Sequence, residues 1–241
     1  MEKLTYVEVR ELIEKGIDTI ILPIGTMEAH GPHLPLSTDV LIPVNLAEKM
    51  AEAVDGLIAP PVYYGVTRSL LAYPGSLMIP SDVFKEYVRA ILLSFARHGF
   101  KKAVIINGHG GHLNELKEIA IEIWTASKLK TVMFHWWVAL QEFTKEFFKG
   151  EGGHAAVDET AMIMAIDESL VKKELYSEEA LATEMPGVEI YPFYGSIVLY
   201  KKGEGLPHFD VVKSTKYFEG VAKRATEMIK EILTGWDRMR N

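Results

Sequence analysis

Three short segments hold most of the side chains able to do chemistry. They are Gly25-Thr-Met-Glu28-Ala-His30-Gly-Pro-His33 running on to Ser37-Thr-Asp39, Asn107-Gly-His109-Gly-Gly-His112, and Gly152-Gly-His154-Ala-Ala-Val-Asp158-Glu159-Thr160. Five of the eight histidines lie in these Gly-rich segments, a concentration that packing and solubility do not explain. Glu28 and His30 are two residues apart, so extended backbone puts both on one side, and Asp39 falls where a helix would start. Imidazole and carboxylate together suit Zn, Mn, Fe or Ni, and spacing alone does not choose among them. Asp39 could offer one oxygen to each of two ions, with Glu28 and His109 completing one and His30 and a further acid the other. Two ions about 3.5–4 Å apart can hold a hydroxide and polarise a carbonyl, which suffices for amide hydrolysis at neutral pH.

Each feature alone has a plainer reading. Asp39 could be a helix cap, Asn107-Gly-His-Gly-Gly an anion-cradling strand-to-helix turn, and Glu159 a solvated helix residue. A competing function follows from these: a non-catalytic binding protein whose turn holds a phosphate and whose acids hold a structural ion. It predicts ligand retention without turnover. The three segments together favour the metal centre.

The elements that must position them alternate, strand-like apolar runs with helix-period segments, the pattern of an α/β fold around a mostly parallel sheet. Strands are expected at Asp18–Ile24, Gly56–Val62, Ala103–Asn107 and Thr131–Trp136. Helices are expected over Tyr6–Lys15, from Ser81 to a stop at His98-Gly99, after Gly111, and over about Thr215–Leu233. In such a sheet ligands bind at the carboxyl ends of the strands, where distant segments converge. The stretch from about Leu170 to Gly205 reads as a hairpin or loops near the site. At 241 residues, 48% apolar and 24% charged, the chain is expected to form one domain, 1–241. With no cysteine it has neither disulfides nor thiolate ligands. A net charge of −7 argues against a nucleic-acid partner. Neither a signal peptide nor a membrane-spanning run is legible, so a soluble, cytoplasmic protein is expected.

Leu22-Pro-Ile-Gly-Thr-Met-Glu-Ala-His-Gly-Pro-His-Leu-Pro-Leu-Ser-Thr-Asp39 resembles the signature of the creatininase (creatinine amidohydrolase) family, and the likeness covers most of the chain. The resemblance implies a three-layer α/β/α sandwich, a dinuclear site of two divalent metal ions (Zn, Fe or Mn), and hydrolysis of cyclic or linear amides. By motif position it makes Glu28, His30, Asp39 and His109 metal ligands. Two positions depart from creatininase itself. Gly111 replaces an acid two places after the histidine of Asn-Gly-His, so the fifth ligand is expected to be Glu159, from the His-Ala-x-x-x-Glu-Thr pattern of other members. Gly153 replaces the acid before the catalytic histidine, which leaves His154 as the proton shuttle. Creatinine itself is therefore in question as substrate. The chain looks closer to archaeal deformylase-like members that cleave a formamide, and peptide-trimming members form a third branch. A small-molecule amide substrate and a homo-oligomer, a hexamer by family habit, are the implied partners.

Lesser expectations complete the reading. His154 donates a proton to the departing nitrogen, while Asn107 and the backbone at Gly110 and Gly111 steady the oxyanion. His33 and His112 orient their neighbours or serve as ligands. His98 and His135 end a helix and a strand. One of Trp136 and Trp137 is core and the other walls the pocket, and Tyr73-Pro-Gly-Ser76 is a turn near the site. Arg68 or Lys102 could meet a substrate phosphate.

Overall fold

The computed structural model describes residues 1–239. Four parallel strands form the central sheet: β1 (Thr19–Ile24), β2 (Gly56–Ile58), β3 (Lys102–Asn107) and β4 (Lys130–His135), in the order β2-β1-β3-β4. The period-two alternation of the strands sorts their side chains between two cores. Ile21, Val104, Ile106 and Phe134 face one cluster, shared with helices α2 (Thr38–Met50), α7 (Val157–Ile166) and α8 (Val211–Arg238). Ile20, Leu22, Ile24, Ala103 and Ile105 face the other, against α3 (Ser81–Arg97) and α4 (Leu113–Ser127). The result is the expected three-layer α/β/α sandwich. Among the described residues the other α-helices are α1 (Tyr6–Glu14), α5 (Trp136–Ala139) and α6 (Gln141–Phe148). No helix among the described residues is long and apolar enough to cross a membrane.

Local chemistry explains the boundaries. α3 forms on the stripe Phe84, Val88, Leu92 and Phe95, all buried, and stops at Gly99, whose φ of +104° suits glycine. β2 ends at Ile58, short of the expected Val62, because Pro60 and Pro61 have no N–H for a ladder. Pairing resumes for one residue, Val62 against Ile24. α8 begins at Val211, earlier than expected, where Asp210 accepts a cap bond from the Lys213 N–H at 3.0 Å. It also runs on to Arg238, past the last buried position, Leu233.

A second sheet lies over the carboxyl end of the first. Its strands β5 (Gly153–His154), β6 (Leu181–Thr183) and β7 (Ile197–Leu199) run in the order β5-β7-β6. β6 and β7 are parallel, so no hairpin joins them. Of the hairpin or loops expected here, the residues between them form loops over the cleft, with a single antiparallel bridge of Met185 to Val188.

Candidate metal centre

The first turn of α2 lies across the ends of β1 and β3, and two glycines allow it. A Cβ on either Gly25 or Gly108 would overlap the backbone carbonyl of Asp39. Pro43 sits four residues after Asp39 and lacks the N–H that would bond that carbonyl within the helix. The Asp39 side chain therefore lies where the two strands release their following loops, and His30 and His109 close on it from opposite sides. Asp39 Oδ1 is 2.9 Å from His30 Nε2, and Asp39 Oδ2 is 2.9 Å from His109 Nδ1. Glu28 Oε2 stands 3.3 Å from His109 Nδ1, and Glu159 Oε2 3.6 Å from His30 Nε2. All five expected ligands are buried in one cluster.

Backbone carbonyls fix which imidazole nitrogen is turned inward. A carbonyl only accepts, so His30 Nδ1 donates to Glu28 O (2.9 Å) and His109 Nε2 donates to Val66 O (3.1 Å). The inward nitrogens, His30 Nε2 and His109 Nδ1, are then lone pairs facing carboxylate lone pairs unless a further cation or proton lies between. Asp39 Oδ2 is a buried oxygen with no hydrogen bond among the described residues. Protons are one remedy. Burial weighs most against charging His30, yet Asp39, Glu159 and Glu28 together raise it to about 10; the same contest with Glu28 and Asp39 raises His109 to about 9. Burial works against the charged form of Asp39 too, but the two imidazoles hold it well below the usual carboxylate range. Burial, helped by Asp39 and Asp158, pushes Glu159 up to about 8. Divalent cations are the other remedy, and three donor groups have their ligand atoms within 4.8 Å of one another: Glu28, His30 and His154; Glu28, Asp39 and His109; and His30, Asp39 and Glu159. Asp39 belongs to the last two.

The surrounding shell is built from residues that carry no motif. Val66 also donates its N–H to His112 Nε2 at 3.0 Å, so one peptide segment clamps both histidines of the Asn107–His112 turn. Gly65 is needed there, since a Cβ would overlap the His112 ring, which stacks on Phe84 with centroids 4.3 Å apart. Neither His112 nor His33 joins a donor group; His33 packs behind the centre, bonded to the Thr160 hydroxyl at 3.0 Å. Asn107 is also committed. Its Oδ1 accepts from the His109 N–H and from His112 Nδ1, and its Nδ2 donates to His109 O and His135 Nδ1. It is therefore a strut and not the expected oxyanion donor. The turn at Tyr73–Ser76 reaches the site through Ser76 Oγ, which accepts from the Ala29 N–H at 2.9 Å.

His154 stacks on His30 with ring centroids 4.1 Å apart. Its Nε2 donates to Ala29 O at 2.7 Å, which leaves Nδ1 as a lone pair 3.9 Å from Glu28 Oε2. Burial, then the charge of His30, lowers its pKa to about 3, so at rest it is a neutral acceptor. A 670 Å³ cleft opens from the cluster, lined by Arg68, Trp137 and Tyr200 among others. Trp136 is the core tryptophan and Trp137 the cleft wall, although both stand on α5 and not in a strand. Lys102 lies on β3 at the far end of the sheet, away from this cleft.

Comparison with known proteins fits this geometry. A family model described as creatininase, creatinine amidohydrolase, matches residues 2–225. The chain belongs to the creatininase family. A 3-dehydro-scyllo-inosose hydrolase of Thermotoga maritima is 29% identical over 199 residues, 77% of this chain and 60% of that protein. A creatinine amidohydrolase of Pseudomonas putida is 26% identical over 213 residues, 79% of this chain and 80% of that protein. A solved creatinine amidohydrolase superposes with a TM-score of 0.82 at 20% identity, covering 100% of this chain and 98% of that one, which establishes the shared fold. Solved proteins of this fold include a Zn–Zn and a Mn creatininase.

Proposed function

We propose that this creatininase-family chain, acting as one domain, is a dinuclear metal-dependent amidohydrolase that cleaves a non-peptide C–N bond of a small amide. The observation that carries the reading is Asp39, a buried carboxylate with each oxygen 2.9 Å from an inward imidazole nitrogen on a different strand-end loop. Glu28, Asp39 and His109 would hold one ion, and His30, Asp39 and Glu159 the other; the donor set admits Zn, Fe or Mn. Divalent ions bound there would lower the pKa of a water to near neutrality and polarise the amide carbonyl. His154, anchored through Nε2 on the Ala29 carbonyl, takes the water's proton on Nδ1. As the new C–O bond forms and the C–N bond breaks, it returns that proton to the departing nitrogen.

The test is elemental analysis of protein purified without chelator and again after reloading. It is followed by assays on creatinine, a formamidopyrimidine, 3-dehydro-scyllo-inosose and short peptides. Two metals per chain with metal-dependent release of an amine from one amide is the expected result. Metal retained with no turnover would favour the binding-protein reading, and no metal uptake would overturn both. A homo-oligomer accompanies the proposal, supported by exposed apolar side chains at Tyr63, Tyr64, Leu77, Met78 and Tyr87; light scattering at two concentrations checks it.

A further inference from the structure

Three recesses share walls beside the donor cluster, and Glu184 and Tyr200 line all three. Alternation along β7 puts Ile197 and Leu199 in the core and turns Val198 and Tyr200 to the cleft, on the side of His154, which pairs with Val198 across the strands. Neither the Tyr200 hydroxyl nor the Glu184 carboxylate has a hydrogen-bond or ion-pair partner among the described residues. Burial first, then Asp158, Glu159, Glu184 and Asp39, raises the Tyr200 pKa well above its ordinary value, so its hydroxyl remains a donor. Glu184 is exposed on its outer side, yet desolvation raises its carboxyl too, the mark of a charge lacking a counter-charge.

The cations of the cleft are already engaged. Arg68 donates Nη2 to Glu115 Oε1 at 2.5 Å and Nη1 to Gly111 O at 2.9 Å. The second recess carries Glu184 and Glu189 and no Lys or Arg. In the third, Lys201 pairs with Glu204, and Lys202 alone has no carboxylate partner, on the exposed rim. A phosphate held in the first recess would lie against the unpaired Glu184, and Arg68, the one Lys or Arg lining that recess, is already bonded.

We propose that the cleft selects the part of the substrate remote from the scissile bond by charge: Glu184 receives a cationic or N–H donor group, Tyr200 donates to a neutral acceptor, and anionic tails are disfavoured. This rests on the metal-centre reading above, and it sets the substrate class as an uncharged or cationic amide without a phosphate.

Hydroxamates, which chelate catalytic metals, separate the two ideas. Three of matched length would be titrated into the metal-loaded full chain, ending in an amine (4-aminobutyrohydroxamate), a carboxamide (succinamide hydroxamate) or a carboxylate (succinic monohydroxamate). The amine and carboxamide tails should bind at least about tenfold more tightly than the carboxylate. Glu184→Gln, with metal content unchanged, should bring the amine and carboxylate tails within about threefold, and Tyr200→Phe should weaken the carboxamide tail selectively. Tightest binding of the carboxylate tail, or a charge order untouched by Glu184→Gln, would overturn the selectivity and leave the metal centre standing. A chain that takes up no metal on loading would instead sink the metal centre, and this inference with it, whereas a loaded chain that binds none of the three would overturn the inference alone.

Discussion

At the N-terminal end of the sheet, Lys102 lies 3.5 Å from Asp18 and 2.5 Å from Asp237, its side chain 12% exposed. At the carboxyl end, Glu28, Asp39 and Glu159 are more deeply shielded, and the only titratable bases beside them are imidazoles, whose inward nitrogens carry lone pairs unless protonated; the Ala155 N–H, which donates to Glu159 Oε2 at 2.6 Å, brings no charge. One cluster contains its own counter-charge and staples α8 to the sheet. The other is short of positive charge by construction. Burying unbalanced carboxylates costs stability, so the second cluster makes sense only if something arrives to balance it. The difference separates a structural ion pair from a binding site with no appeal to motif.

Each prediction presses on that contrast. The largest effect belongs to Asp39→Ala, which removes the residue shared by the two proposed ion sites: metal content should fall from two to below one per chain, and turnover by several orders of magnitude, read by elemental analysis and assay. His154→Ala should leave metal content unchanged and lower kcat by about 10²–10⁴-fold; unchanged kcat would remove it from the mechanism. Gly65→Ala pushes on His112 and, through Val66, on the His109 ring, and should weaken metal affinity about 10–100-fold in a competitive chelator titration, with the fold retained by circular dichroism.

The pH dependence of the metal-free chain is the fourth test. His30 and His109 have folded pKa values near 10 and 9, above an unfolded value of about 6.5. Their stabilisation is thus fully present below about 6.5 and is lost as pH rises through 9 to 10. Glu159, raised to about 8, acts in the same direction from its unfolded value upward. Melting temperature without metal should therefore fall from pH 6 to pH 10. Metal uptake should release protons, seen as buffer-dependent heats in calorimetry, and affinity should rise with pH. The smallest effect is expected from Lys102→Met: about 1 kcal/mol of stability or less in urea melts, with metal affinity and turnover unchanged. A loss of metal there would erase the distinction between the two ends.

Much of this molecule was legible in its residues. Apolar runs of period two and stripes of period 3.6 marked the four sheet strands and helices α1, α3, α4 and α8, because burial patterns there are local, whereas no such stripe marked α2 and α7. Imidazole and carboxylate crowded between glycines marked the centre. The omissions and misreadings share a cause. The Leu170–Gly205 stretch, read as a hairpin or loops, forms loops around parallel β6 and β7, a pairing the sequence did not show because its partners are chosen by distant segments. Asn107 looked like an oxyanion donor, but all of its bonds are taken by His109, His112 and His135. Arg68 and Lys102 looked free and are paired.

The sequence by itself therefore determined the α/β class, the donor types and the family. Tertiary structure decided which nitrogen of each histidine faces Asp39, that Val66 braces the turn, and that Glu184 and Tyr200 stand at the cleft. The reason is physical: residue type and short spacing set what a side chain can do, whereas its tautomer, its burial and the partners already claiming its hydrogen bonds depend on chain brought close from far away in sequence.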